Sequence, residues 1–227
     1  MVWMTAFHFS FDLNQFHLIA RQNFYGDPFW TLQRVAIVTL FLTCVGLSQA
    51  VAQSQGVEDG RFWRRWARVA GCALLVSAGS AVMFPRSWIS FGVLHAVSAM
   101  LLLVRALRGV RLPTWGWLLL SAGAIGLGLS VAHPVFDTRW TNWVGLVTHK
   151  PITEDYVPLL PWFGIVALGM GVGQWLLTHR PGVLQGGLPS TLQPLARLGR
   201  WSLSYYMVHQ PVLIGLVMAV AYCAPNL

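Results

Sequence analysis

LGRWSLSYYMVHQPVLIGLVMAVAYC, Leu198 to Cys223, decides the fold. From Trp201 to Cys223 it is apolar for long enough to cross a bilayer. Yet it contains His209 and Gln210, about 13 Å in from its basic end at the helical rise per residue. An ionisable group at that depth costs roughly 2.5 kcal/mol or more as a full charge unless it meets a partner or a watery cavity, so it marks a candidate functional site. The competing explanation is a neutral histidine that ties helices together by hydrogen bonds.

The rest of the chain shares this character. Its 227 residues are 56% hydrophobic and 10% charged, whereas soluble domains carry roughly a quarter charged residues. The expectation is an all-α polytopic transmembrane helix bundle, one domain over residues 1–227. Cys44, Cys72 and Cys223 lie in apolar runs without ligand-like spacing, which argues for packing and against a zinc site or disulfide framework. The net charge of +8 does not point to nucleic acid, because of where it falls. Arg61, Arg64, Arg65, Arg68, Arg105, Arg108, Arg111, Arg180, Arg197 and Arg200 occupy three alternate loops whose only acids are Glu58 and Asp59. This is the positive-inside pattern.

Apolar periods give seven spans, about 2 to 20, 30 to 52, 68 to 84, 87 to 104, 114 to 132, 159 to 178 and 201 to 223. With the basic loops inside, the N-terminus is cytoplasmic and the C-terminus outside. Met1 opens directly into the first span, without a signal-peptide pattern, which suggests further residues upstream. That span, MVWMTAFHFSFDLNQFHLIA, is too polar to face lipid all round. His8 and Asp12 are four apart and share a helix face, so the carboxylate can orient the imidazole. Ser10, Asn14 and His17 form a second polar row, and an interfacial helix is the other reading of the segment.

His95 falls roughly 12 Å below the outer end of the fourth span, a depth similar to that of His8 and His209. Three imidazoles and Asp12 therefore suggest one polar chamber, with no metal expected because no local spacing selects for one. QSQGVEDGRFWRRWARVA, before the third span, reads as an interfacial segment whose guanidinium groups meet lipid headgroups or an anionic cofactor tail. In the fifth span, small residues including Gly123, Gly126 and Gly128 suggest close helix approach. The outer segment from His133 to Trp162 is aromatic and proline-stiffened, as a sugar-binding or lid loop would be, and carries Glu154 and Asp155. The inner segment from Thr178 to Arg200 reads as a flexible Gly/Pro/Ser linker.

Five blocks, HFSFDL (8–13), TCVGLS (43–48), FGVLHAVS (91–98), THKPITEDYVPLLPWFG (148–164) and LGRWSLSYYMVHQPVL (198–213), carry a resemblance. With them the chain resembles bacterial membrane proteins related to the catalytic region of heparan-α-glucosaminide N-acetyltransferase, over nearly its whole length. The resemblance implies an inner-membrane acyltransferase that takes an acetyl group from cytoplasmic acetyl-CoA as co-substrate. It passes that group to an amino sugar or sugar hydroxyl on the other side. By position, Asp12, His95, Asp155 and His209 match motif positions, while the key histidine of the first helix is either His8 or His17. Family members usually open with a basic Asp- and Arg-Gly-containing stretch that this chain lacks.

Together these readings assign catalysis to His8, Asp12 and His209, and acceptor binding to His17, His95, Glu154 and Asp155. Arg61, Arg64, Arg65, Arg105 and Arg200 are assigned to the CoA phosphates. The partners expected are membrane lipid and a small-molecule or glycan acceptor, with a homo-oligomer left open. The rivals are a proton-coupled permease, whose paths also use mid-membrane His and Asp, and a non-catalytic membrane protein with structural buried polar groups.

Overall fold

Within lipid, a backbone can satisfy its own hydrogen bonds only by closing them inside a helix or a closed barrel. The computed structural model takes the first course. The chain is 75% helix, with no strand among the described residues, 1–185, 187 and 189–223. In order the helices are α1 (Val2–Gln15), α2 (Pro28–Ser54), α3 (Asp59–Met83), α4 (Val93–Ala106) and α5 (Thr114–Ser130). They are followed by α6 (Leu159–His179), α7 (Pro181–Gln185), α8 (Gln193–Arg200) and α9 (Ser202–Cys223). By length and composition α2, α3, α4 with its 3₁₀ extension to Val110, α6 and α9 can each cross a membrane. At 17 residues, apolar α5 reaches the lower limit for a span. This is a multi-pass helical membrane protein, and about seven crossings fit it.

The expected boundaries shift at three places. The first span was expected to run from 2 to 20, but α1 stops at Gln15. His17 takes a left-handed φ of 60°, and the N–H groups of His17 and Leu18 donate back to the carbonyls of Asn14 and Leu13 (3.2 and 2.9 Å). That is a Schellman closure with histidine where glycine is usual. The fourth span was expected from 87, but α4 starts at Val93, so His95 sits in its first turn and not 12 Å down. The arginine-rich interfacial segment runs into α3, and its arginines occupy the first three turns of that one continuous 25-residue helix. The expected linker is also more ordered than foreseen, holding α7, α8 and a 3₁₀ turn at Ser190–Leu192. Its residues 186 and 188 lie outside the described residues.

The chain divides into two units. Unit 1 comprises Met1–Val38 and Gly187–Leu227, and unit 2 comprises Thr39–Gly186. In unit 1, α1 packs on α9, and the contacting residues rise together along both helices, so the two run parallel. Parallel α1 and α9 require an odd number of crossings counted from one through the other, in keeping with seven.

Unit 2 is built around α4. Val93, Leu94, Ala96, Val97, Met100, Leu101 and Val104 are all buried, so this helix is enclosed by protein on most sides. The most extensive contact of the unit joins α5 to α6, and glycine sets how close the helices come. A Cβ on Gly169 would lie 2.5 Å from the Thr43 carbonyl oxygen, and one on Gly173 would lie 2.6 Å from the Ala50 Cβ, both on α2. One on Gly164 would lie 2.8 Å from the Ser121 carbonyl oxygen of α5. The expectation for the fifth span is thus only partly met. Gly128 packs on Pro161, but Gly123 and Gly126 face open space, and the close approach belongs mainly to the glycines of α6.

Candidate active site

Unit 1 holds the histidine pair. His8 on α1 and His209 on α9 share a hydrogen bond of 2.8 Å between His8 Nδ1 and His209 Nε2, with their rings stacked at 5.1 Å. Their partners fix the tautomers. His209 Nδ1 lies 2.7 Å from the Tyr206 carbonyl oxygen, an acceptor only, so Nδ1 carries the proton and Nε2 offers a lone pair. His8 Nδ1–H must then be the donor to His209. This leaves the lone pair on His8 Nε2, which has no hydrogen-bond partner among the described residues. A neutral His8 is therefore oriented as a base, with its own second nitrogen anchored through His209 to the backbone of α9.

Two further pairs flank this one. The Tyr205 hydroxyl meets the Thr5 hydroxyl, which itself donates to the Met1 carbonyl, and the Tyr205 ring stacks on His209 at an interplanar angle of 4°. On the other side, Gln210 Nε2 donates to both oxygens of Asp12 at 2.9 and 3.2 Å. Thr5, His8 and Asp12 fall on one face of α1 at intervals of three and four, which is why one helix can present all three to α9. Asp12 is 3% exposed and His209 8%. The expected support of His8 by Asp12 is not made. Asp12 is held by Gln210, while His8 is held by His209.

His17 is exposed beyond α1 and lines a polar cleft of about 650 Å³ with Asn14, Arg21, Asn23 and Tyr25. The end of α1 at Gln15 thus separates His17 from the buried face that carries His8.

Unit 2 holds two other clusters, at opposite ends of α4. At its start, His95 Nδ1 accepts the Gly92 N–H (3.3 Å), and His95 Nε2–H faces Ser77 Oγ (3.1 Å), whose own proton goes to the Ile89 carbonyl. The Val93 N–H donates to Asp155 Oδ2 at 2.8 Å. His95 and Asp155 therefore cap the first turn of α4, whose free N–H groups need acceptors. Glu154 joins the same junction: the Ser87 hydroxyl donates to its carboxylate, and its N–H donates to the Ser87 carbonyl. Of the three histidines expected to share a chamber, His8 and His209 pair within unit 1, and His95 has its hydrogen-bond partners within unit 2.

The outer segment folds on itself. Tyr156 Oη donates to the Asn142 carbonyl (2.7 Å), and Asp137 accepts the Thr148 hydroxyl and N–H. The Thr148 hydroxyl holds the Asp137 carboxyl below its usual range. Burial, with the Asp137 charge second, pushes the Tyr156 hydroxyl up to about 12.

At the other end of α4, Arg61, Arg64, Arg65, Arg68, Arg105 and Arg108 line a cleft of about 410 Å³. Arg105 and Arg108 (3.5 Å) pair with Asp59, and Arg105 also lies over the Phe62 ring at 4.5 Å. Four arginines remain without a carboxylate partner among the described residues, a donor set suited to phosphate oxygens. Four of the five arginines expected to hold the CoA phosphates, Arg61, Arg64, Arg65 and Arg105, line this one cleft. The fifth, Arg200, is in unit 1, in the last turn of α8. From the sequence Gln210 stands out beside His209 but has no assigned role, and Tyr205 and Thr5 do not stand out at all, since only pairing with a helix some 200 residues away makes them part of a site.

Helices of this length and apolarity, with a hydrogen-bonded histidine pair and an arginine cleft, define a multi-pass membrane protein. The chain belongs to the heparan-alpha-glucosaminide N-acetyltransferase catalytic-domain family, whose sequence model matches residues 1–211. At the level of the family this is a transmembrane acetyltransferase. No curated protein and no solved structure matches the chain.

Proposed function

We propose that the protein transfers an acetyl group from acetyl-CoA to an amino sugar or sugar hydroxyl, with His8 as the general base. The observation that carries this is the relay from the Tyr206 carbonyl through His209 to His8, which fixes His8 with its Nε2 lone pair available. His8 takes the proton of the attacking group, the acetyl carbon is transferred, and the C–S bond of the thioester breaks to release CoA. His209 holds the tautomer and shares the positive charge that forms on the pair. Arg61, Arg64, Arg65 and Arg105 fit the phosphates of CoA, with Arg68 and Arg108 beside them. Because arginine-rich loops stay inside, the cleft is cytoplasmic, the N-terminus also lies inside, and the acceptor is met on the outer side of the inner membrane.

The test is thermal stabilisation of the purified protein by acetyl-CoA, with CoA and ATP as controls, followed by acetyl transfer. Stabilisation by acetyl-CoA and CoA but not ATP is expected in both the wild type and His8→Ala, with transfer lost only in His8→Ala. No stabilisation of the wild type, or full transfer by His8→Ala, would overturn the proposal. Arg64→Ala is expected to weaken acetyl-CoA binding by roughly 10-fold, the order of one charge-assisted hydrogen bond.

A further inference from the structure

The turn that joins α1 to α2 encloses the polar cleft of about 650 Å³ at the end of α1. Two of its amides have their direction fixed by the backbone. Asn14 Oδ1 accepts the Gln22 N–H at 2.6 Å, and Asn23 Oδ1 accepts those of Tyr25 and Gly26 at 3.3 and 2.8 Å. A backbone N–H only donates, so both side-chain oxygens are spent and both NH2 groups are left unmet. Arg21, on the same lining, has no carboxylate or hydrogen-bond partner among the described residues, and His17 adds a ring N–H. No carboxylate lines the cleft, and Arg34 lies over the Tyr25 ring at 5.9 Å, adding a second positive charge beside it. Gln22 is the exception, since its NH2 donates to the Ala20 carbonyl at 3.2 Å and its oxygen remains. A cationic cleft whose unmet groups are mainly donors is completed by an oxyanion.

The neighbouring surface decides which oxyanion. Phe24, on the cleft lining, is 3% exposed and stacks on Trp30 at 3.9 Å, which holds the cleft against the first turn of α2. From that turn Phe29, Leu32 and Val35 follow at helical spacing, and they are 61%, 67% and 47% exposed. On a helix long and apolar enough to cross a bilayer, such a strip meets acyl chains. A soluble anion would use the donors and leave the strip idle. A phospholipid uses both.

We propose that this cleft is a binding site for an anionic phospholipid, whose phosphate is held by Arg21 and the Asn14 and Asn23 amides and whose acyl chains run along α2. The site needs nothing from the acetyltransferase reaction. A glycerol headgroup also brings a hydroxyl that can donate to Gln22 Oε1. A choline headgroup brings no donor, and its fixed positive charge is repelled by Arg21 and Arg34.

The experiment follows amide hydrogen exchange over residues 16–27 of the full chain in detergent as dioctanoyl phosphatidylglycerol, dioctanoyl phosphatidylcholine or inorganic phosphate is added. Phosphatidylglycerol is expected to slow exchange there, and the other two to have little effect at the same concentration. Arg21→Gln should raise the half-saturating concentration about 10-fold or more, the loss of one charge-assisted hydrogen bond. Arg197→Gln removes the same charge from α8 and should leave that concentration unchanged. Equal protection by phosphatidylcholine, or none by either lipid, would overturn the site. Equal protection by phosphate would overturn the lipid in favour of a soluble oxyanion. An unchanged half-saturation in Arg21→Gln, or an equal rise in Arg197→Gln, would also overturn it. If Arg21→Gln alters the exchange of this turn before lipid is added, Gln15→Glu decides. Gln15 is exposed and without a hydrogen-bond partner among the described residues, so this change sets a carboxylate on the lining and should abolish the protection. Protection retained in Gln15→Glu overturns the site.

Discussion

The α1–α9 seam of unit 1 and the contacts of α6 with α2 and α5 in unit 2 solve the same problem with opposite chemistry. Each must hold helices together where the surroundings are as apolar as the helices themselves. The seam uses side chains that hydrogen-bond across it: Thr5 to Tyr205, His8 to His209, Asp12 to Gln210. The α6 contacts use the absence of side chains, with Gly164, Gly169 and Gly173 bringing backbones together. Glycine contacts demand only shape, so they suit architecture. Polar pairs demand one partner in one orientation and are expensive when unmet, so a protein that retains three in a row is using them for something besides cohesion.

Substitutions should separate the two. The largest effect falls on the seam: His8→Ala is expected to reduce acetyl transfer by about 10²–10⁴-fold, the contribution of a general base. His209→Ala should act through the same relay, so the double variant should lose little more than either single one. In the α6 contacts the effect moves from rate to stability. Gly169→Leu should cost about 1–3 kcal/mol or more by overpacking against the Thr43 carbonyl, read as lost thermal stability in detergent. Gly123→Ala, with open space around it, should change stability by no more than about 1 kcal/mol, and in the favourable direction.

Smaller still is His17→Gly, which relieves a left-handed histidine and should stabilise by about 1 kcal/mol. If transfer survives that change, His8 and not His17 is the base; if it is lost, the assignment reverses. The smallest effect lies in the outer segment. The Asp137 carboxyl is lowered when folded, so its contribution is present above the unfolded value of about 3.9 and is lost as pH falls through the folded one. Hydrogen exchange at the Thr148 amide, which Asp137 accepts, should therefore accelerate only in acid below about pH 4.

Most of the architecture was legible because apolar run length is itself the physical requirement for a span. The ends were not. The stretch from Trp88 to Gly92 is as apolar as the helix it feeds, and only the acceptors supplied by His95 and Asp155 decide that α4 begins at Val93. His17 looked helical by periodicity, since nothing in a non-glycine residue announces a left-handed φ. His8, Asp12 and His209 could each be singled out as polar groups in apolar company. Their pairing could not, because helical spacing tells which residues share a face and not which helix that face meets. His8 and Asp12 were thus read as partners of each other, although each has its partner on α9.

The seam also sets a timetable. Its pairs join residues 198 to 201 positions apart, and at about 5–20 residues per second a ribosome needs roughly 10–40 s to make the intervening chain. Through that interval α1 has emerged while His8 and Asp12 lack the α9 groups that hydrogen-bond them in the folded protein. α1 therefore completes its packing only when α9 arrives with these groups. A nascent chain halted between Arg108 and Tyr205 carries every residue of the arginine cleft and none of the partners that complete the histidine pair.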